Sequence, residues 1–371
     1  MTFVMAGGGT GGHVIPAIAV ARELVRAGHE PLFVGTERGA EARLVPAAGF
    51  RLEKIRVGGI KNLGVMTKLA SIWRLVAETA AQWRSFGQWK PAAVFSMGGY
   101  VAGPPVLAAL MHGVPVVVME PNAVPGAANR WIAPWVRRAL ISFEETRRYF
   151  PNDRVELTGL PVREDFFSIA ARKPSSEFTV LITGGSQGSR TLNEAARASW
   201  PMFRAAGTPV RFIHQTGVAT HAELAQEFAA SGLRGEIVPF ISDMPAAFSQ
   251  ADLIVCRSGA GAVSELAAAG KPSILVPFPF AADDHQTKNA SVFVSAGAAI
   301  LSNDKNWNGA RLFETVTGLR ADPNRLRAMG EAARGLARPG SARRAAEILV
   351  FEASNTSEAL TARVTDRNNS Y

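Results

Sequence analysis

Thr2-Phe3-Val4-Met5-Ala6 runs directly into Gly7-Gly8-Gly9-Thr10-Gly11-Gly12-His13, and Phe178-Thr179-Val180-Leu181-Ile182-Thr183 runs into Gly184-Gly185-Ser186-Gln187-Gly188. Each is a short, largely apolar, β-rich run followed by a glycine loop and then a helical pattern, as expected of a strand buried on both faces. Around the first, the sequence predicts a helix over 14–27, with Pro16 in its first turn and Gly28 ending it, and then a strand over 31–34. Further strands are expected at 93–96 and 116–119, with a helix through 105–112 between them. Around the second run a helix begins near Leu192, and strands fall at 210–214, 237–240, 253–256 and 273–276. Helices at 221–230, 244–249 and 262–269 separate them. Strand alternating with helix means a parallel sheet covered on its faces, and the restart of the pattern means two doubly wound α/β halves. The boundary falls near 160–173, which gives domains 1–163 and 164–340. Helices near 324–337 and 341–354 follow, and the polar stretch 355–371 is expected to fray as a disordered tail.

The length of 371 residues suits two ordinary domains, and 47% apolar with 19% charged residues is a globular composition. Cys256 is the sole cysteine, which excludes an internal disulfide and favours a reducing compartment. The opening residues lack the charged start and apolar core of a signal peptide. Residues 91–120 contain no Asp, Glu, Lys or Arg, but Gly98-Gly99, Gly103-Pro104-Pro105 and Gly113-Val114-Pro115 cut them into pieces too short to span a bilayer. A formal net charge of +9 favours nucleic acid, nucleotide phosphates or acidic lipid as partners, and no recognised nucleic-acid module accompanies it.

The first loop satisfies G-x-G-x-x-G, and Glu37 lies near where a ribose-binding acid of a dinucleotide site would stand, so a dehydrogenase is one reading. His13 points elsewhere. At a helix N-terminus the dipole favours neutral imidazole, which can take a proton from a sugar hydroxyl. The second loop offers Ser186 and backbone amides to a diphosphate. Two phosphate-compatible loops suit an enzyme holding a nucleotide-sugar in one domain and a second phosphorylated substrate in the other. A third element, Cys256-Arg257-Ser258-Gly259-Ala260-Gly261-Ala262-Val263-Ser264-Glu265, ends a strand in small residues and brings a carboxylate that can hold both hydroxyls of a ribose. The polar cluster Asp283-Asp284-His285-Gln286-Thr287-Lys288-Asn289 suits sugar hydroxyls. No Asp-x-Asp and no metal-spaced His/Cys cluster is present, so no metal site and no cofactor are expected. Between 60 and 90, basic residues including Lys61, Lys68, Arg74 and Arg84 interleave with Trp73, Trp83 and Trp89, and Trp131, Trp135, Arg137 and Arg138 can add to them. That mixture suits an anionic membrane surface; the alternative is helices whose apolar faces are core.

Seven stretches in order resemble the peptidoglycan N-acetylglucosaminyltransferases of the MurG family across nearly the whole chain. They are GGGTGGH at 7–13, SMGGYVAGP at 96–104, MEPN at 119–122, TGLPVR at 158–163, GGSQGSR at 184–190, CRSGAGAVSE at 256–265 and DDHQTKNA at 283–290. The resemblance implies an α/β GT-B fold, two Rossmann-like domains facing a cleft, with the helix over 341–354 packing back onto the first. It implies inverting transfer of N-acetylglucosamine from UDP-N-acetylglucosamine (UDP-GlcNAc) to the 4-hydroxyl of the muramyl sugar of undecaprenyl-linked lipid I. The products are lipid II and UDP, for peptidoglycan synthesis. It further implies a peripheral place on the anionic inner leaflet, at the cytoplasmic face of the bacterial cell membrane, with cell-wall synthesis proteins as partners. A glycolipid synthase or a UDP-GlcNAc 2-epimerase on the same fold is the alternative.

By motif, the resemblance implies that Ser186 and Gln187 hold the donor diphosphate, Glu265 the ribose and Ile241 the uracil, with Gln286 and Asn122 at the sugar. Arg163, Thr10, Gly11 and Gly12 join the donor side, while Thr10, His13, Tyr100 and Glu120 face the acceptor. His13 is the expected base, with Glu120 as the rival base or its orienting partner. One departure stands out: where the family usually has His-Glu-Gln-Asn, this chain has Met119-Glu120-Pro121-Asn122, which removes two polar side chains.

Overall fold

The computed structural model describes residues 1–58, 65–172 and 177–368, without the side chains of 65–70, 72 and 357–368. The chain divides into two compact units, Met1–Val162 with Gly340–Tyr371, and Arg163–Pro339.

The first unit runs β1 (Thr2–Ala6), α1 (Gly11–Arg26), β2 (Glu30–Gly35), α2 (Glu41–Ala47), β3 (Leu52–Lys54), α3 (Val65–Trp89), β4 (Ala93–Ser96), α4 (Gly103–His112), β5 (Val116–Glu120), α5 (Ala127–Ile132), β6 (Arg138–Ile141) and β7 (Val155–Leu157). The second runs β8 (Phe178–Thr183), α6 (Arg190–Ala205), β9 (Val210–Gln215), α7 (His221–Ser231), β10 (Arg234–Val238), α8 (Met244–Gln250), β11 (Leu253–Cys256), α9 (Ala260–Ala269), β12 (Ser273–Leu275), α10 (His285–Ser295), β13 (Ala299–Leu301), α11 (Gly309–Arg320) and α12 (Pro323–Gly335). The chain then returns to the first unit as α13 (Ser341–Asn368).

The sheets have orders β3-β2-β1-β4-β5-β6-β7 and β10-β9-β8-β11-β12-β13, with every pairing parallel. This is the doubly wound arrangement, made twice. Phe3, Phe33 and Phe95 are fully buried in the first unit, and Phe203 and Phe212 in the second. Burial of each such ring stabilises its unit by roughly 1.5–3 kcal/mol. Within the first unit α13 packs on α1 and is clamped to the sheet by charge. Glu352, buried, accepts from Arg138 Nε at 2.6 Å and Arg137 Nε at 3.2 Å, and Arg344 pairs with Glu156.

The sequence expectations are met at the strands next to the glycine loops and, within a residue or two, at β2, β5, β9, α7 and α8; they are altered at other places. Helix α1 begins at Gly11 instead of residue 14, so Pro16 sits inside the helix and the carbonyl four residues back, that of exposed Gly12, loses its helical partner. Strand β10 covers 234–238, not 237–240, because backbone pairing of Arg234 with Arg211 at a sheet edge, not apolar composition, sets its start, and Pro239 follows its end. Strands β3, β6 and β7, of 3, 4 and 3 residues, have no counterpart in the sequence expectations. Helix α13 continues to Asn368 past the point where fraying is expected, through a stretch without Gly or Pro. Residues 91–120 form strand, helix and strand, and among the described residues no helix is long and apolar enough to cross a membrane.

Candidate active site

In each sheet the strand order reverses beside the first strand, between β1 and β4 in the first unit and between β8 and β11 in the second. Loops leaving the carboxyl ends on either side of such a reversal diverge and open a crevice for a ligand. Those four loops carry the GGGTGGH, SMGGY, GGSQG and CRSGAG stretches.

In the first unit Thr10 is the N-cap of α1, but its side chain makes no capping bond and the first turn holds no acidic residue. The helix therefore presents an uncapped N-terminus at Gly11 and Gly12. Nδ1 of His13 lies 3.2 Å from the Gly8 carbonyl oxygen. A carbonyl can only accept, so Nδ1 carries a proton, and Nε2 is the nitrogen left for other chemistry when the ring is neutral. The imidazole lies beside Gly99, and exposed Tyr100 lies beside Gly9.

What holds this loop is Glu41, a residue the sequence reading missed. Its carboxylate is fully buried and accepts from Gly9 N at 2.7 Å, Thr36 N at 2.9 Å and Thr36 Oγ1 at 2.7 Å. Burial pushes its pKa up, but the hydrogen bonds from Thr36 and Gly9 outweigh this and hold it below the usual carboxylate range. The carboxylate fills the space where a Cβ at Gly8 or Gly39 would stand, and Gly9 has φ 88°. Glu37, by contrast, is exposed and faces Lys54 at 3.8 Å. The buried acid after β2 thus serves the loop backbone, and the dinucleotide reading of Glu37 is corrected. Two acids four residues apart were the available signal; only burial tells them apart.

Glu120 ends β5 and is 1% exposed. It accepts from Asn122 N at 3.0 Å, Asn122 Nδ2 at 3.3 Å, Gly126 N at 3.2 Å and Asn129 Nδ2 at 2.9 Å. Burial raises its pKa to about 7 against these bonds. Pro121 leaves the closure of this loop intact, because the donors come from the residues that follow it.

In the second unit the 184–188 loop leaves β8 with Gly185, Ser186 and Gln187 exposed, and α6 is capped by Ser189 Oγ accepting from Leu192 N. A Cβ on Gly188, at φ 75°, would run into the Thr216 carbonyl, so the loop can lie on the end of β9 only with glycine there. Three further residues missed in the sequence, Asn193, His214 and Gln215, hold that strand end. Asn193 Nδ2 donates to Thr216 O at 2.9 Å and Thr220 Oγ1 at 2.8 Å, and its Oδ1 faces His214 Nε2 at 3.0 Å. Burial lowers the His214 pKa to about 3, so this ring is neutral with its proton on Nε2. Gln215 reaches both the loop and Ile241, whose N–H donates to it at 2.8 Å.

Glu265 lies partly buried in α9, whose N-cap Gly259 provides no side-chain cap. Burial raises its pKa to about 7, and the Arg163 guanidinium opposes that rise. Arg163 itself lies over the Phe166 ring at 5.2 Å. Gln286 accepts through Oε1 from Phe278 N at 3.0 Å, which directs its Nε2 as the donor end. Asp283 and Asp284, just before it, hold φ values of 54° and 52°, an uncommon conformation for residues with a Cβ and one that concentrates at functional sites.

The structure brings Thr10, Gly11, Gly12, His13 and Tyr100 to one end of the first sheet, with Glu120 and Asn122 on the β5 loop. It gathers Ser186, Gln187, Ile241, Glu265, Gln286 and Arg163 within the second unit. On α3, Trp73 (73% exposed), Val76 and Trp83 (44% exposed) follow one helical stripe, flanked by exposed Arg74 and Arg84. Trp89 does not belong to that stripe: with Gln82 and Phe86 it lies on the opposite face and packs on the core. Lys61 and the side chain of Lys68 lie outside the described residues. Trp131 and Trp135 are exposed and paired at 5.6 Å, while Arg137 and Arg138 are engaged by Glu352.

Two doubly wound units, one with a histidine at an uncapped helix N-terminus and the other with a glycine loop beside a carboxylate, define an enzyme class that handles nucleotide-linked groups. Residues 3–141 match the glycosyltransferase family 28 N-terminal domain and residues 179–347 its C-terminal domain. The chain belongs to glycosyltransferase family 28. It is 61% identical, over 94% of its length and 95% of the relative's, to the UDP-N-acetylglucosamine–N-acetylmuramyl-(pentapeptide) pyrophosphoryl-undecaprenol N-acetylglucosamine transferase of Solibacter usitatus. To the protein of the same name in Myxococcus xanthus it is 39% identical, over 94% of this chain and 92% of that one. The crystal structure of Acinetobacter baumannii MurG superposes with a TM-score of 0.78 at 32% identity, covering 94% of this chain and 99% of that one.

Proposed function

We propose that this enzyme transfers N-acetylglucosamine from UDP-GlcNAc to lipid I, giving lipid II and UDP for peptidoglycan synthesis. The observation that carries the proposal is the 61% identity, across both units, to a transferase named for that reaction.

In the reaction the acceptor 4-hydroxyl oxygen attacks the anomeric carbon, the bond from that carbon to the diphosphate oxygen breaks, and UDP leaves from the opposite face with inversion. The hydroxyl proton goes to Nε2 of His13, whose lone pair is set by the Nδ1 contact to Gly8. Ser186, Gln187 and the amides of their loop receive the charge growing on the diphosphate. Glu265 holds the ribose, Ile241 the uracil, and Gln286 and Asn122 the sugar, with Arg163 beside the donor. Thr10 and Tyr100 serve the acceptor, and Glu120, whose oxygens are committed to its own loop, acts by positioning Asn122. The exposed tryptophans of α3 with Arg74 and Arg84 support a peripheral place on an anionic inner leaflet, where a lipid-linked acceptor is found.

Radiolabel transfer from UDP-GlcNAc to a short-chain lipid I analogue tests the reading. Labelled disaccharide product is the expected result. Donor binding without transfer, or epimerisation of the donor without any lipid, would replace the reading with that of another enzyme of this fold.

A further inference from the structure

Gln215 is the last residue of β9 and pairs in register with Thr183 at the end of β8. Its side chain is 1% exposed, and both ends of its amide are used. Nε2 donates to Gly185 O at 2.8 Å and to Thr183 Oγ1 at 3.2 Å, while Oε1 accepts from Ile241 N at 2.8 Å. Gly185 immediately precedes Ser186 and Gln187, and Ile241 lies on a different segment, after β10. One buried amide therefore ties the segment that receives the diphosphate to the segment that receives the base.

We propose that Gln215 is a positioning residue that sets the distance between the diphosphate and uracil subsites; this rests on the donor site assigned above. The chemistry is demanding. The position needs a donor at one end and an acceptor at the other, which among side chains of this length an uncharged amide supplies at any pH and a carboxyl only while protonated. An ionised carboxylate would face the Gly185 carbonyl with like polarity, and a thioether would leave Ile241 N–H and Gly185 C=O without their partner. The surrounding structure backs the brace: Asn193 fixes Thr216, the next residue in the chain, and glycines at 188 and 217 let the loop backbone lie directly on it. A ligand that engages both subsites feels the spacing between them, whereas a ligand that engages one does not.

The experiment compares Gln215→Met and Gln215→Glu with wild type by calorimetry of UDP and of uridine, donor KM and kcat in transfer, and thermal unfolding. The expected result is a UDP Kd raised about tenfold or more, a uridine Kd raised less than about threefold, and a donor KM that follows UDP while acceptor KM stays constant. Equal weakening of UDP and uridine, or unchanged UDP binding, would overturn the proposal. If the Met variant fails to fold, the Glu variant is judged by the same pair of ligands. Glu265→Ala separates the two layers: unchanged UDP binding there means the donor-site reading has failed, whereas its loss beside normal binding in both Gln215 variants means the brace alone has failed.

Discussion

Beneath Gly9 lies a carboxylate, and beneath Gly185 an amide. Glu41 gathers three donors, from Gly9 and Thr36, and is charged to do so; Gln215 joins a donor to an acceptor and is neutral. The first brace ties a loop to its own neighbourhood at the end of β2, and the second ties two distant segments of one site to each other. An acceptor-only group can gather N–H groups strongly but cannot bridge, while an amide bridges at the cost of weaker individual bonds. The difference matches the proposed roles: the first loop would hold a single imidazole, and the second two parts of a ligand at a set separation.

The largest effect expected from breaking this comparison is at the imidazole itself. His13→Ala should lower kcat for transfer on the order of a hundredfold or more, read in single-turnover assays. Glu41→Ala removes the brace and leaves part-buried Gly9 N and buried Thr36 N without their partner, which should cost about 3 kcal/mol of stability by denaturant unfolding. The same carboxylate gives the sign of a pH effect: its pKa is depressed in the folded state, so its stabilisation is present above the ordinary 4.5 and lost as pH falls through the folded value. Glu120 runs the other way. With its pKa raised to about 7, its contribution is full below 4.5 and lost as pH rises through 7, a change of about 3 kcal/mol that Glu120→Gln should remove from the stability profile. The smallest effect is expected at Glu37, where Glu37→Ala should leave both stability and transfer within about 0.5 kcal/mol of wild type.

The proposed site residues are legible where they stand in a motif: His13 follows its loop directly, and Ser186 and Gln187 lie within theirs. Glu41, Asn193, His214 and Gln215 were not legible because each works on groups brought near by the fold, 32 residues away for Glu41 and Gly9, 21 for His214 and Asn193 and 30 for Gln215 and Gly185. No local spacing encodes such a pairing. The restart of the strand-helix pattern points to the two doubly wound sheets, since both use apolar central strands that are almost wholly buried. The 3-residue edge strands escaped because backbone pairing, not side-chain pattern, makes them. Trp89 and Trp73 look alike in composition and differ only in helical phase, which a strict count of turns separates.

The proposed chemistry divides the labour, with the base in the first unit and the donor site in the second. Calorimetry of UDP-GlcNAc binding to His13→Ala and Glu265→Ala, alongside their transfer rates, tests it most directly. The account predicts that His13→Ala binds the donor within about twofold of wild type while transfer collapses, and that Glu265→Ala loses donor affinity by about tenfold or more. Donor binding lost in His13→Ala to the same degree as transfer, or retained in full by Glu265→Ala, would contradict it.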